Sequence, residues 1–151
     1  MVSQKINDRS LHTGNLTIER EDIFEFAAQF DPQPYHLDSE LADASIFGGL
    51  CASGWQVTAL LMRLVSEAFR RENLLMTSVD RVSSMRWKYP VFAGDSIAAQ
   101  ISLGDAEADP ERPECQRVQC EVLATNQHDK PVLAMSSSVT IQPITGSPAD
   151  D

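Results

Sequence analysis

The chain has 151 residues and a formal net charge of −10, with 22 Asp and Glu against 12 Lys and Arg. That length is usual for one domain and sufficient for a hydrophobic core without disulfide or metal staples, and 42% hydrophobic with 23% charged residues describes a globular rather than a disordered chain. The acidic balance excludes nucleic acid, whose phosphates need a basic footprint, and argues against an anionic membrane surface; a phosphate-bearing small ligand would need locally arranged positive charge.

Residues 1–14 read as a polar lead-in without the apolar stretch of a signal peptide, and no window approaches the roughly 20 apolar residues of a membrane span. The three cysteines, Cys51, Cys115 and Cys120, form no CxxC and cannot all pair. A reduced, cytoplasmic protein is expected. The domain itself is expected over residues 15–143, with a flexible tail over 144–151.

Inside those bounds a short extended piece at 15–18 leads to a helix over 20–29. Ile23, Phe24, Phe26, Ala27 and Phe30 recur at helical spacing there, with Glu19, Glu21 and Asp22 at the favourable N-terminal end. Pro32 and Pro34 end that helix by Asp31 and stiffen a loop through His36. A helical turn over 39–44, with Ser39 as its cap, precedes the flexible turn Phe47-Gly48-Gly49. Ser53-Gly54 then opens the most apolar helix, residues 55–71, whose Leu60, Leu61, Leu64, Val65, Ala68 and Phe69 require burial. Strand-like stretches follow at 79–89, 96–103, 115–125 and 132–142, the last two as a hairpin, separated by Pro90, Gly94-Asp95, the acidic loop 105–114 and the turn 126–131. One buried helix against an antiparallel sheet is an α+β architecture.

Two places carry groups suited to chemistry. Asp31 and His36 on a proline-stiffened loop can be held in a fixed mutual geometry, as acid–base work on a bound water requires. On spacing alone, a turn residue and a backbone-satisfied histidine are the plainer reading. Gly54, at the start of a buried helix, presents amide hydrogens at the positive dipole end, where a carbonyl oxygen gaining charge could bind; an ordinary cap by Ser53 explains the same residues. The histidines are too scattered for a recognisable metal site, Ser53 lacks a Gly-x-Ser-x-Gly elbow, and no glycine-rich phosphate loop follows a strand.

The two places, taken in order along the chain, change the weighing. Phe26-Ala-Ala-Gln-Phe-Asp31-Pro-Gln-Pro34-Tyr-His36-Leu-Asp38, then Ala42, Phe47-Gly48 and Ser53-Gly54, and later Tyr89-Pro-Val-Phe-Ala-Gly-Asp95, resembles the MaoC-like dehydratases, the (R)-specific enoyl-CoA hydratases. The resemblance implies a hot-dog fold: a long central helix wrapped by an antiparallel five-stranded sheet, with an overhanging segment at about residues 20–50 and a homodimer, or a larger oligomer, formed through sheet pairing. It implies cofactor-free, reversible syn addition of water to a trans-2-enoyl thioester of coenzyme A or acyl carrier protein. Asp31 and His36 would hold and activate the water, and the Gly54 amide would bind the thioester oxygen. Gln33, Phe30 and Ser53 depart from the residues usual in that family.

Substrate contacts are expected from Gln33, Tyr35 and Ser53 beside those groups and from Trp55 and Met62 on the long helix. Arg81, Arg86 and Lys88 are expected to receive the phosphates, because between residues 63 and 88 cations outnumber acids. Two other readings stand beside this one. A hot-dog thioesterase needs an acid or nucleophile near the start of the central helix, yet no acid lies between Asp43 and Glu67, which is several turns in. A non-catalytic acyl-thioester-binding subunit would keep the loop for its shape alone.

Overall fold

The computed structural model describes residues 9–144. The elements in chain order are β1 (Arg9–His12), β2 (Leu16–Thr17), α1 (Arg20–Phe30), α2 (Pro34–Leu37), α3 (Ser39–Asp43), α4 (Gly54–Arg71), β3 (Leu74–Trp87), β4 (Ser96–Ala108), β5 (Gln116–Thr125) and β6 (Pro131–Pro143). Helix α4 lies against one face of an antiparallel sheet ordered β1-β4-β5-β6-β3, with the two-residue β2 paired to β4 off that path. The expected α+β architecture of a long helix wrapped by five antiparallel strands is therefore present.

Uninterrupted spacing explains α4. Val57, Leu61, Leu64, Val65, Ala68 and Phe69 recur at three- and four-residue steps and are all buried, and no proline or internal glycine breaks the run. Arg70 and Arg71 close it against the negative end of its dipole, and Asn73 at φ 58° turns the chain into β3. Alternation explains the sheet. Ile97, Ala99, Ile101 and Leu103 on β4 and Val118, Cys120, Val122 and Ala124 on β5 point to the helix, while the residues between them face outward.

Several local boundaries differ from expectation, each for a physical reason. Arg9–His12, expected in the polar lead-in, form β1 and pair with β4 from Arg9↔Leu103 to His12↔Gln100. A four-residue strand with one buried side chain, Leu11, carries almost no apolar signal. The rest of the lead-in, residues 1–8, and the tail beyond Ile144 lie outside the described residues. Beyond Asp31 the expected stiff loop becomes a helical turn from Pro34, because proline at the first helical position presets the backbone. Helix α3 is capped by Asp38, whose carboxylate accepts from the Glu40 and Leu41 amides, and not by Ser39. Strand β3 starts five residues earlier than expected and bends through three register shifts against β6.

Helices α1–α3 cover one end of this core as the overhanging segment. Ile23 and Ala27 of α1 and Ala42 of α3 are buried in it, and the Arg20 guanidinium ties α1 to α3 by bonding Ser39 while lying over the Phe24 ring. Among the described residues no helix is long and apolar enough to cross a membrane.

All three cysteines are free and buried. Burial pushes the Cys51 thiol up and the Cys120 thiol up to about 11, so neither supplies reactive thiolate near neutrality. At pH 8 the native chain is therefore expected to react slowly with a chromogenic disulfide, releasing all three equivalents only after denaturation; a rapid native-state equivalent would contradict this burial.

Candidate active site

The site begins with a short antiparallel contact far along the chain. Residues 50–52 run extended beside 91–93: Ala52 N–H donates to the Val91 carbonyl at 2.8 Å, Ala93 N–H to the Leu50 carbonyl at 3.1 Å, and Cys51 bridges Phe92. The partner segment is held by its own turn. Gly94 takes φ 89°, and the Asp95 carboxylate accepts from Phe92 N–H at 2.9 Å. This contact fixes where the Cys51 carbonyl points.

His36 meets that carbonyl. The turn of α2 carries the imidazole inward until its side chain is 7% exposed, and Nδ1 lies 2.7 Å from the Cys51 oxygen. A carbonyl can only accept, so Nδ1 must carry the proton. In the neutral ring the Nε2 lone pair is then free, and Nε2 faces Asp31 Oδ2 at 3.6 Å. Two acceptors at that separation do not bond each other, but one water can donate a hydrogen to each. Tyr35 packs edge-on against the imidazole with ring centres 4.6 Å apart, and Phe47 packs behind Tyr35.

Asp31 is placed by the end of α1. Its amide closes the helix on the Ala27 carbonyl at 3.0 Å, and φ −152°, ψ 71° takes it out of helical geometry ahead of Pro32. The Ser53 hydroxyl donates to Asp31 Oδ2 at 2.7 Å and accepts from Trp55 N–H at 3.2 Å. One side chain thus caps α4 and orients the carboxylate. Ser53 is fully buried and lies off the cavity lining, so the substrate contact expected of it is replaced by this positioning role.

Gly54 is the first residue of α4, and its N–H has no hydrogen-bond partner among the described residues. The reason for glycine here is steric. A Cβ would lie 2.8 Å from Trp87 Nε1, because the indole rests on Gly54 and donates to its carbonyl at 2.9 Å and to Thr58 Oγ1 at 3.2 Å. Trp55 meets Trp87 edge-on, with centroids 4.9 Å apart.

Asp31, His36 and Gly54 open on one cavity of about 490 Å³. Its floor is buried and small, made by Cys51, Ala52, Val57, Val91 and Val132 beside His36. Its more exposed rim is aromatic, with Tyr35, Phe47, Trp55, Trp87 and Tyr89, and carries one cation, Lys88. Tyr35, Trp55 and Lys88, three of the residues expected to touch substrate, thus line this cavity. Gln33 is exposed on the α2 cap and Met62 packs against the core; both lie off the lining. Arg81 lines a separate groove with Asp80, Ser83, Arg117, Gln119 and Ser138, and Arg86 registers with Ala134, whose β5 partner Leu123 faces outward. Arg86 faces away from the cavity by simple alternation with Trp87, and the register shift between Val82 and Ser84 puts Arg81 on the same outer face. Trp87, Tyr89, Phe47 and the valine floor were missed. Tyr89 sits within the Tyr-Pro-Val-Phe-Ala-Gly-Asp motif, whereas nothing local to Trp87 points at Gly54. Among the described residues no cluster of His, Cys, Asp or Glu could hold a metal ion.

A family model described as MaoC like domain matches residues 2–126. The chain is 29% identical over 131 residues to the uncharacterized protein YdeM of Bacillus subtilis strain 168, covering 86% of this chain and 90% of that one. Among solved structures, the MaoC-like dehydratase from Rhodospirillum rubrum superposes with a TM-score of 0.76 at 28% identity, covering 91% and 92% of the two chains. The unliganded R-hydratase PhaJ1 from Pseudomonas aeruginosa shares the hot-dog fold at 19% identity and a TM-score of 0.65, covering 96% and 91%.

The fit of Trp87 on Gly54 is open to direct test. Gly54→Ala is expected to cost about 1–3 kcal/mol in urea denaturation, as overpacking does, and to disturb tryptophan fluorescence. Adding Trp87→Ala should make the methyl group introduced at position 54 harmless; an undisturbed single variant would contradict the contact.

Proposed function

The chain belongs to the MaoC-like domain family, and from that membership we propose that it is a hydro-lyase adding water reversibly and syn to a trans-2-enoyl thioester, giving an (R)-3-hydroxyacyl thioester. The observation that carries this is the convergence, on one cavity, of an Nε2 lone pair, a carboxylate oxygen 3.6 Å from it and a helix N-terminal amide without a partner among the described residues.

The chemistry follows from those three groups. A water donating to Asp31 Oδ2 and His36 Nε2 keeps its oxygen lone pairs for attack on C3 of the enoyl group. As the C3–O bond forms, the water gives one proton to the dyad and electron density moves through C2 to the thioester oxygen. The Gly54 N–H, at the positive end of α4, stabilises that enolate-like charge. The dyad then returns a proton to C2. Water and proton arrive from the same side, so addition is syn. No cofactor is required by this sequence.

The floor of alanine, cysteine and valine accommodates a compact acyl group, and the aromatic rim would flank the pantetheine arm. The substrate class is an acyl thioester of coenzyme A or of acyl carrier protein. Strand β3 closes the sheet at one edge over 14 residues, with Val79 and Val82 exposed on the helix side, which supports a homodimer formed by strand pairing.

Asp31→Asn is expected to keep the Ser53 hydrogen bond and the fold while lowering hydration of short-chain trans-2-enoyl-CoA by about 10²-fold or more, followed as loss of the conjugated thioester absorbance. Undiminished turnover would overturn the assignment, as would release of free thiol in place of hydration by the wild-type chain.

A further inference from the structure

Lys88 and Lys130 are two of only three lysines in a chain of net charge −10; the first lines the rim of the cavity and the second lies over Tyr89 of that rim. Lys88 lines the cavity, and its N–H donates to the Val132 carbonyl at 2.8 Å, two residues beyond Lys130. Lys130 reaches back over Tyr89, also part of the rim, with Nζ 3.5 Å from the ring centroid.

The turn that presents Lys130 is built to hold it there. Asn126 is buried, and its Oδ1 accepts from His128 N–H at 2.9 Å and Lys130 N–H at 3.1 Å; Asn126 N–H bonds the Lys130 carbonyl at 3.0 Å. Asp129 adopts φ 58° to close the loop. Neither lysine forms an ion pair among the described residues, whereas Arg9, Arg63, Arg112 and Arg117 each face an acid. The acids near the turn are Asp129, within it, and Asp95, whose carboxylate is engaged by Phe92 N–H and the Gln127 amide. An ammonium over an aromatic face is oriented on one side and keeps donors free on the other.

We propose that Lys88 and Lys130 form a two-lysine clamp for the phosphates of a coenzyme A thioester whose acyl end occupies the cavity. The clamp rests on the thioester reading above and names its charged end. It also replaces the expected trio: Arg81 and Arg86 face away from the cavity, and the hairpin turn supplies Lys130 instead. A lysine pair grips phosphate as point charges without demanding one bidentate geometry, which suits a flexible diphosphate at the end of a long arm. The opposite side of the molecule offers Arg81 and Arg117 in their own groove, and these serve as an internal control.

Calorimetric titration of the full chain with coenzyme A and with pantetheine, which lacks the phosphates, tests the clamp at low ionic strength. Wild-type chain is expected to bind coenzyme A on the order of tenfold more tightly than pantetheine, since charge-assisted bonds to phosphate contribute that much. Lys88→Glu and Lys130→Glu should each remove most of that advantage, and Arg81→Glu should leave it in place. Equal affinity of the wild-type chain for both ligands, an advantage surviving in either lysine variant, or an equal loss in Arg81→Glu would overturn the proposal. Because the titration needs no turnover, lysine-dependent binding without hydration overturns the hydro-lyase reading alone. Hydration with binding indifferent to the lysines overturns the clamp alone.

Discussion

The hydrogen bond from His36 Nδ1 to the Cys51 carbonyl is the constraint on which the site depends. It joins two segments 15 residues apart, the proline-rich turn of the overhang and the strand-like entry to the central helix, and it is 2.7 Å long and buried. Because the carbonyl has no proton to give, the bond decides the tautomer of the ring and aims the Nε2 lone pair at Asp31. Without it the ring could carry its proton on Nε2 and donate to Asp31, and the imidazole would then offer no lone pair to a water beside the carboxylate. The bond is in turn fixed by the pairing of residues 50–52 with 91–93, so a turn far along the chain, closed by Gly94 and Asp95, sets which nitrogen of the His36 ring holds the proton.

Ser53 and Trp87 connect that ring to the electrophilic end of the site. Ser53 spends its proton on Asp31 and its lone pair on the first turn of α4, so the carboxylate and the helix N-terminus cannot move independently. Trp87 performs the complementary task from the sheet. Its indole proton holds the Gly54 carbonyl and Thr58, while its ring fills the space that a side chain at Gly54 would need. The proposed base and the proposed oxyanion donor thus share one rigid frame. Such preorganisation spares the reorganisation that water would otherwise undergo during the reaction.

Much of this was legible in the sequence because the signals are local. The spacing of Leu61, Leu64, Val65, Ala68 and Phe69 specifies a buried helix, and Pro32 and Pro34 force the chain out of α1 at Asp31 whatever surrounds them. The partnership of Asp31, His36 and Gly54 became readable only through the ordered motif, since a separation of five residues does not by itself imply convergence. What stayed hidden depends on contacts distant along the chain or on small counts of residues. Leu11 alone cannot announce β1. The register shift between Val82 and Ser84 decides which way Arg81 faces, and no side-chain pattern encodes a bulge of that kind. Trp87 reads as one more aromatic strand residue until the helix is laid against it, and Lys130 reads as a hairpin cation until its turn brings it over Tyr89.

The tautomer of His36 is the most direct observable of this arrangement. Nitrogen-15 correlation spectra of the histidine-labelled chain, recorded at a pH where the imidazole is neutral, distinguish the protonated from the unprotonated ring nitrogen. The account predicts that neutral His36 carries its proton on Nδ1, with Nε2 unprotonated, and that His12 and His128, which lie outside the cavity, show no such constraint. A neutral His36 with its proton on Nε2 would contradict it, because the ring would then offer no acceptor to the water beside Asp31.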